Sequence, residues 1–420
     1  MHKAYTKAEK KRRGRCKLLP PPRKKERLVF LRQLDTLISH WEGPLPNLLD
    51  VFSREQVESL LLDSICYMDD EASCARGGRF IEFVARSGYK AEPPQLDADG
   101  KPVSRYTTPL HVAAKYEYHQ LIDHLFRIYD RVDANRSDES GLTHFHVACQ
   151  FGCEDVVQKH LDLGLDPNLP VRETGDSPLH LALANYENET AAFLLRNGAD
   201  ANLANGLGQT PLHVICNGNY NDDLLEIFIN VNYKFQRIVR VDARDKLGNT
   251  PLHLALELGH CVRRRALELL LKNGADPNLA KRNGSTALHI IAERAEDDGD
   301  SLQLLFDICD EKRRPVHIDA WDKKGNTALH LALLRENKNV VRVLLRNGAD
   351  PFVANEEGVI PLHFMYRSHD YDVEEMFYKL GSSSSSNDEY ESVGSKIRDT
   401  VEVAGGWPQQ GLDTRLLLRG

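Results

Sequence analysis

Eight histidines recur along the chain, each behind a short polar-led motif. The motifs are Thr108-Pro109-Leu110-His111, Thr143-His144-Phe145-His146, Ser177-Pro178-Leu179-His180, Thr210-Pro211-Leu212-His213, Thr250-Pro251-Leu252-His253, Thr286-Ala287-Leu288-His289, Thr327-Ala328-Leu329-His330 and Ile360-Pro361-Leu362-His363. Imidazoles at regular intervals are the raw material of metal binding or acid–base work. Zinc, however, needs its ligands within about 2.3 Å of one ion, and equivalent residues of packed helical units stand about 10 Å apart. The histidines are therefore expected to be structural, bonded to a helix cap or to nearby backbone. His146, Cys149 and Cys153 follow at i, i+3 and i+7, a spacing that would face an imidazole–thiolate set to one side of a helix. Cys149 takes the small-residue position that Ala114 holds in the first unit and Cys216 in the fourth, so buried apolar packing is the expectation. Asp97-Ala98-Asp99-Gly100 opens like a calcium loop but lacks the glutamate at the twelfth position, and reads as a turn. The chain holds no phosphate-binding glycine loop, nucleophile elbow, zinc-protease helix or kinase set. The reading is a non-enzyme, without cofactor or resident metal.

The intervals between these histidines are 35, 34, 33, 40, 36, 41 and 33 residues, a base period near 33 with two insertions of seven or eight. A second signature follows the histidines. It reads Leu194-Leu195-Arg196-Asn197-Gly198-Ala199-Asp200-Ala201-Asn202, and returns at Leu270–Asn278 and Leu344–Phe352, with a weaker copy at Leu163–Asn168. Threonine is a good N-cap and proline suits the first helical position. The Leu-Leu pair ends a second helix, Gly198, Gly274 and Gly348 fall where a left-handed C-cap belongs, and Asp-x-Asn opens a turn. Each unit is too small to bury its own apolar face, so stacking must supply the core.

These two signatures at this spacing resemble the ankyrin-repeat family. The resemblance covers residues 105–380 and implies an all-α repeat solenoid: helix–turn–helix units with short β-hairpin fingers between neighbours, stacked without interruption. Its usual activity is binding other proteins on the concave face built from finger tips and first helices. Carried onto this sequence, that face includes Tyr116, Phe151, Arg244, Lys246, Leu258, Arg282, Trp321, Lys323 and Lys324. The aromatic positions match the usual anchor types of interfaces. The basic stripe points to partners with acidic segments, bound more weakly as salt rises. Two motifs depart from the pattern. His144 replaces proline, at little expected cost, and Ile360 replaces the capping threonine, so the eighth unit, read as the C-terminal cap closed by Val373, Met376, Phe377 and Leu380, should lose that hydrogen bond.

The flanks read differently. Residues 1–22 form a basic tail. Residues 23–104 read as a helical N-terminal cap with room for one degenerate repeat. Residues 381–420 read as a serine-rich linker and a low-order C-terminal tail. In the cap, one helix presents Leu28, Leu31, Leu34, Leu37, Ile38 and Trp41 on one side. A Ser53-Arg54-Glu55-Gln56 capping box opens a second, and a third apolar stretch, Phe80 to Tyr89, follows Gly77-Gly78. Lys10, Lys11, Arg12, Arg13, Arg23, Lys24 and Lys25 have the two-cluster spacing of a nuclear import signal.

Over 420 residues the 54 lysines and arginines against 62 acids leave a net charge of −8, but residues 1–27 alone carry +10 and the remainder −18. An acidic body repels a phosphate backbone, which leaves nucleic acid as a partner of the tail only. Eight cysteines are too few for a disulfide scaffold, and no apolar run reaches the length of a membrane span. The expected location is cytoplasmic, nuclear or both. The functional expectation is a scaffold or adaptor that binds proteins; the alternatives are a substrate-recognition or regulatory subunit of a ligase or phosphatase complex, and nucleic-acid contact through the tail.

Overall fold

The computed structural model describes residues 24–66, 71–92, 106–218, 222–257 and 264–368. Outside them lie the basic residues Lys10, Lys11, Arg12, Arg13 and Arg23, the turn at Asp97–Gly100, Leu258, and the closing face from Val373 to Leu380. The described residues form eighteen α-helices and no strand; a single isolated bridge joins Ser137 and Thr143. The expected hairpin fingers are thus turns. In place of a ladder, an aspartate or asparagine side chain closes the turn: Asp245 Oδ1 accepts the N–H groups of Leu247 and Asn249, both at 2.8 Å, and Asn205 and Asn355 do the same in their own turns.

Two compact units are present, Met1–Ile215 with Ile227–Val239, and Cys216–Glu226 with Arg240–Gly420. Each carries four of the eight histidine motifs.

The first unit opens with α1 (Lys24–Ile38), α2 (Arg54–Cys66) and α3 (Glu71–Arg86). The capping box that opens α2 forms as the spacing predicts, with Ser53 N–H donating to Gln56 Oε1 at 2.9 Å and Gln56 N–H to Ser53 Oγ at 3.3 Å. Two details differ from the sequence reading. Leu37 is half exposed rather than part of the packed side of α1. Gly77 and Gly78 lie inside α3 and do not precede it; a Cβ on Gly78 would sit 3.7 Å from Leu121, so the missing side chain lets α3 lie close to its neighbour.

Regular pairs follow: α4 (Pro109–Lys115) with α5 (His119–Ile128), α6 (His144–Gln150) with α7 (Glu154–Asp162), and α8 (Pro178–Ala184) with α9 (Asn188–Arg196). Packing is between like helices: α4 meets α6 and α6 meets α8. The irregular α2 and α3 meet α4 and α5 in the same way. α10 (Pro211–Asn217) and α11 (Asp222–Lys234) form the fourth pair, of which residues 216–226 belong to the second unit.

The second unit repeats the pattern with α12 (Pro251–Glu257) and α13 (Arg264–Lys272), α14 (Ala287–Glu293) and α15 (Gly299–Glu311), α16 (Ala328–Leu334) and α17 (Lys338–Arg346), and α18 (Pro361–Ser368). Here α12, α14, α16 and α18 pack in series, as do α13, α15 and α17. The motif leucine or phenylalanine, from Leu110 and Phe145 to Leu329 and Leu362, is at most 2% exposed in every copy. In five copies the residue three further on is alanine, Ala113, Ala148, Ala182, Ala255 and Ala332, and as deeply buried; Ile215 and Ile291 fill the position in two others. Burying a leucine contributes about 2 kcal/mol, and in a seven-residue helix that burial comes from the neighbouring repeat.

The two insertions lengthen the second helix. α11 and α15 have 13 residues where α9, α13 and α17 have nine. The left-handed residue after the helix, glycine at 198, 274 and 348, is Gln236 (φ 55°) and Arg313 (φ 54°) in the long copies. The next residue reaches back to the preceding repeat. Arg237 Nη1 donates to the carbonyls of Leu195 (2.6 Å) and Ala199 (3.2 Å), and Arg314 Nη1 to that of Ala275 (3.2 Å).

Candidate protein-binding surface

The histidines fix the fingers. In all eight motifs the backbone N–H of the N-cap residue donates to the histidine Nδ1, at 2.9–3.2 Å. An N–H can only donate, so Nδ1 is the bare nitrogen and Nε2 carries the proton. That proton is spent on the next finger: His146 Nε2 donates to Leu169 O (2.7 Å), His180 to Gln209 O (3.0 Å), His253 to Leu279 O (2.9 Å), His289 to Asn326 O (3.0 Å) and His330 to Val359 O (3.0 Å). The neutral ring is what both bonds require. Burial, which penalises the imidazolium, pushes His111 and His253 down to about 4 and lowers the others that titrate. The eighth motif keeps the backbone bond, from Ile360 N–H to His363 Nδ1 at 3.2 Å, although isoleucine has no hydroxyl to add.

The second motif departs further than expected. His144 is 3% exposed; its Nε2 lies 3.0 Å from Thr108 Oγ1 and its ring packs 4.9 Å from that of His111. His111 Nε2, also buried, has no hydrogen-bond partner within 3.5 Å, and only weaker interactions with the backbone of Arg136 and Leu142 hold it. Substituting histidine for proline therefore places a polar ring in the core.

Asparagines form a second rung. Asn168 Nδ2 donates to Gly198 O (3.3 Å), Asn202 to Ile238 O (2.7 Å) and, in the second unit, Asn278 to Pro315 O (2.8 Å). The aspartate two residues earlier bends the chain for this, as Asp200 Oδ1 accepts Asn202 N–H at 2.8 Å.

In the second unit this framework holds three basic fingers side by side. Lys323 N–H donates to Asn283 O at 2.9 Å, and Arg244 Nη1 to Ala280 O at 2.8 Å. Arg244, Lys246, Arg282, Lys323 and Lys324 are all exposed. Leu247 and Trp321, on the same turns, are 64% and 63% exposed.

Tyr116 and Phe151 belong to the first unit, at the turns between first and second helices. Tyr116 is 55% exposed and stacks on Tyr118 at 5.9 Å; Phe151 is half-buried, with His119 edge-on at 4.8 Å.

Other candidate chemistry resolves into packing. Cys149 is fully buried, and burial pushes its thiol well above the usual range and that of Cys153 up to about 12, so neither is a thiolate. Among the described residues no group of three His, Cys, Asp or Glu is disposed to hold a metal ion, and no helix is long and apolar enough to cross a membrane.

Sequence reasoning missed one polar cluster. The Glu58 carboxylate of α2 accepts the hydroxyls of Tyr89 and Tyr129, and the buried Arg136 guanidinium lies 5.7 Å over the Tyr129 ring. Burial raises Glu58 and lifts Tyr129 well above the ordinary phenol. The four residues span 78 positions with no periodic spacing, so nothing in the sequence joins them.

Comparison with known proteins agrees with this geometry. The family model for ankyrin repeats matches in three overlapping copies, over residues 110–205, 179–279 and 260–355. The probable 26S proteasome regulatory subunit p28 of Saccharomyces cerevisiae is 32% identical over 46% of this chain and 79% of its own length. The E3 ubiquitin-protein ligase KEG of Arabidopsis thaliana is 26% identical over 83% of this chain, which spans 21% of that protein. Human NF-kappa-B inhibitor zeta is 29% identical over 47% of this chain and 31% of its own length. The ankyrin repeat domain of Bcl-3 aligns with 57% of this chain and 99% of that domain at a TM-score of 0.48 and 24% identity. With histidine-capped helix pairs in both units and the family model matched across more than half of its length, the chain belongs to the ankyrin-repeat family.

Proposed function

We propose that the chain is a non-enzymatic adaptor or scaffold whose second unit binds an acidic segment of a partner protein along its finger row. Ankyrin repeats are protein-interaction modules, and the relatives include a proteasome regulatory subunit and an NF-kappa-B inhibitor by name. The observation that carries the finer reading is the finger row. Five exposed cations on three successive turns flank Leu247 and Trp321, with backbone bonds fixing the turns. An extended segment alternating acidic and apolar side chains would meet charge and apolar anchor together, with charge setting the encounter rate and salt sensitivity and Trp321 supplying a buried contact. Tyr116 and Phe151 offer a separate aromatic contact on the first unit. Delivery of a substrate to a separate ligase or phosphatase would use the same row, and the likeness to a ligase keeps that variant in view.

The test compares affinity purification by the intact chain, by a Lys246→Glu, Arg282→Glu, Trp321→Ala variant and by a Tyr116→Ala, Phe151→Ala variant. Partners that are lost with the first variant, and that elute from the intact chain between 0.1 and 0.5 M salt, support the reading. An unchanged partner set in the first variant overturns it.

A further inference from the structure

The turns that join first to second helices in the first unit form an edge of unusual composition. Tyr116, Phe151 and Tyr186 occur there in three successive repeats, and Tyr116 and Tyr186 are 55% and 46% exposed. The turns touch one another: His119 meets the Phe151 ring at 4.8 Å, and the Glu187 carboxylate lies against Gly152, filling the space a side chain there would need. Carboxylates gather around them. Glu154 raises Glu187, which burial already lifts and His119 partly offsets, and Asp123 and Glu187 both act on Cys153. No lysine or arginine among the described residues is ion-paired to Asp123, Glu154 or Glu187. From residue 115 to the first turn of α9, the exposed or half-buried charges on this edge are Glu117, Asp123, Glu154, Asp155, Glu187 and Glu189 against Lys115. Helix-dipole compensation accounts for Glu154, Asp155 and Glu189, which sit in first turns. It also covers Glu187, the N-cap residue of α9, but not Asp123 in the middle of α5, nor the exposed rings of Tyr116 and Tyr186.

The start of α1 lies at this same end. Arg27 is bonded to Asp63 in the last turn of α2. Along the rest of α1, Asp35 pairs with Arg79 at 2.8 Å and Trp41 meets Phe83 at 5.8 Å, so α1 runs parallel to α3. α3 in turn runs parallel to α5, since Gly78 lies beside Leu121 while Ala91 N–H bonds Ile128 O at 2.9 Å. The first residues of α1, α3 and α5 therefore share one end, the end that carries Tyr116 and Phe151. The residues that precede α1 include Lys10-Lys11-Arg12-Arg13-Gly14-Arg15. Nine to fourteen residues separate them from Lys24, a reach of up to roughly 30–50 Å when extended. From α1 past α3 to α5 is two spacings of 8–10 Å, about 16–20 Å, and on to α9 is four, about 32–40 Å.

We infer that the basic segment Lys10–Arg15 docks on the acidic, aromatic edge of its own first unit, with guanidinium and ammonium groups over Tyr116, Phe151 and Tyr186 and against Asp123, Glu154 and Glu187. Arginine stacks on aromatic faces and pairs with carboxylates at once, and a tether of this length gives an effective concentration in the millimolar range. Docked, the residues read as an import signal are withheld from a receptor. The inference rests on the reading of Tyr116 and Phe151 as contact residues and is independent of the basic finger row.

A fluorescein-labelled peptide of residues 8–25 is the probe. It is titrated into the full chain, into the chain lacking residues 1–22, and into that shortened chain with Asp123→Asn, Glu154→Gln and Glu187→Gln, whose helicity and melting are checked. The shortened chain is expected to bind the peptide at least tenfold more tightly than the full chain, and the three substitutions or 0.5 M salt to abolish the difference. In parallel, zero-length carbodiimide cross-linking of the full chain should join Lys10 or Lys11 to Asp123, Glu154 or Glu187 within monomers. Equal binding by full and shortened chains would mean that the edge is open to some other basic segment and would overturn the inference. So would cross-links found only between two chains, or no peptide binding to the shortened chain. None of these results touches binding by the second unit's fingers, so the two proposals fail separately.

Discussion

Acid should loosen the finger clamps in a defined pH window. His253 shows the arithmetic. Its Nδ1 accepts from Thr250 N–H at 2.9 Å and its Nε2 donates to Leu279 O at 2.9 Å, so protonation removes the first bond and places a charge in a buried site. Burial holds it down to about 4 from an unfolded value of 6.5. The folded value is the lower one, so the unfolded chain takes the proton first. Stability is fully present well above pH 6.5 and declines as pH falls through 6.5 toward about 4, with the loss from this group levelling off below that. One such histidine removes about 1.4 kcal/mol at pH 5.5 and about 3 kcal/mol at pH 4, out of the about 3.4 kcal/mol that a fall from 6.5 to about 4 carries in all. Urea unfolding followed by circular dichroism at pH 7.5, 6.5, 5.5 and 5.0 measures the slope, and His253→Gln removes one titrating group. The variant should be less stable at pH 7.5 and should lose less on acidification. A slope unchanged by His253→Gln, or stability that rises between pH 6.5 and 5.5, would refute the buried neutral state of the ring.

Three further outcomes follow from the geometry. Gln236 holds φ 55° where other repeats use glycine, so Gln236→Gly should raise stability by about 0.5–1 kcal/mol in the same urea assay, most of the relieved strain surviving the extra freedom of the unfolded chain. Glu58→Ala strands the buried Tyr129 hydroxyl and the Arg136 charge, and should cost about 3 kcal/mol, with the loss seen as faster amide exchange in α2 and α5; Glu58→Gln, which still accepts hydrogen bonds, should cost less. Ile360→Thr restores the hydroxyl next to His363 and should stabilise the second unit by about 1 kcal/mol, read as a higher melting temperature.

Period, helix pairing and caps were readable because each repeats one local rule. Threonine precedes proline and histidine where a helix begins, and glycine stands where it ends, so eight copies reinforce one another. The insertions were readable as lengths only; that they extend α11 and α15, and that Arg237 and Arg314 close the gap, depends on carbonyls more than 35 residues upstream. Leu37 was misplaced because a 3.6-residue pattern ranks it with Leu34 and Ile38, whereas burial depends on where the neighbouring helix ends. The cost of His144 was underestimated for a related reason: the motif shows which residue is replaced, and not that the cavity it enters is shared with His111. The exposed state of the basic finger residues matched what turn chemistry implies, while the proximity of Glu187 to Phe151 and Gly152 needed coordinates.

The two lengthened repeats carry a general lesson about how such chains tolerate growth. Four extra residues add about one helical turn, so the buried stripe of the helix returns to nearly the same direction. What the added turn disturbs is the junction behind it, where the neighbouring helix end still presents bare carbonyl oxygens. A long side chain with several donors, one residue past the left-handed bend, spans that space in both cases. Length can therefore drift in whole turns provided an arginine travels with it, and a repeat that gains the turn without that residue should be the one where the array first comes apart.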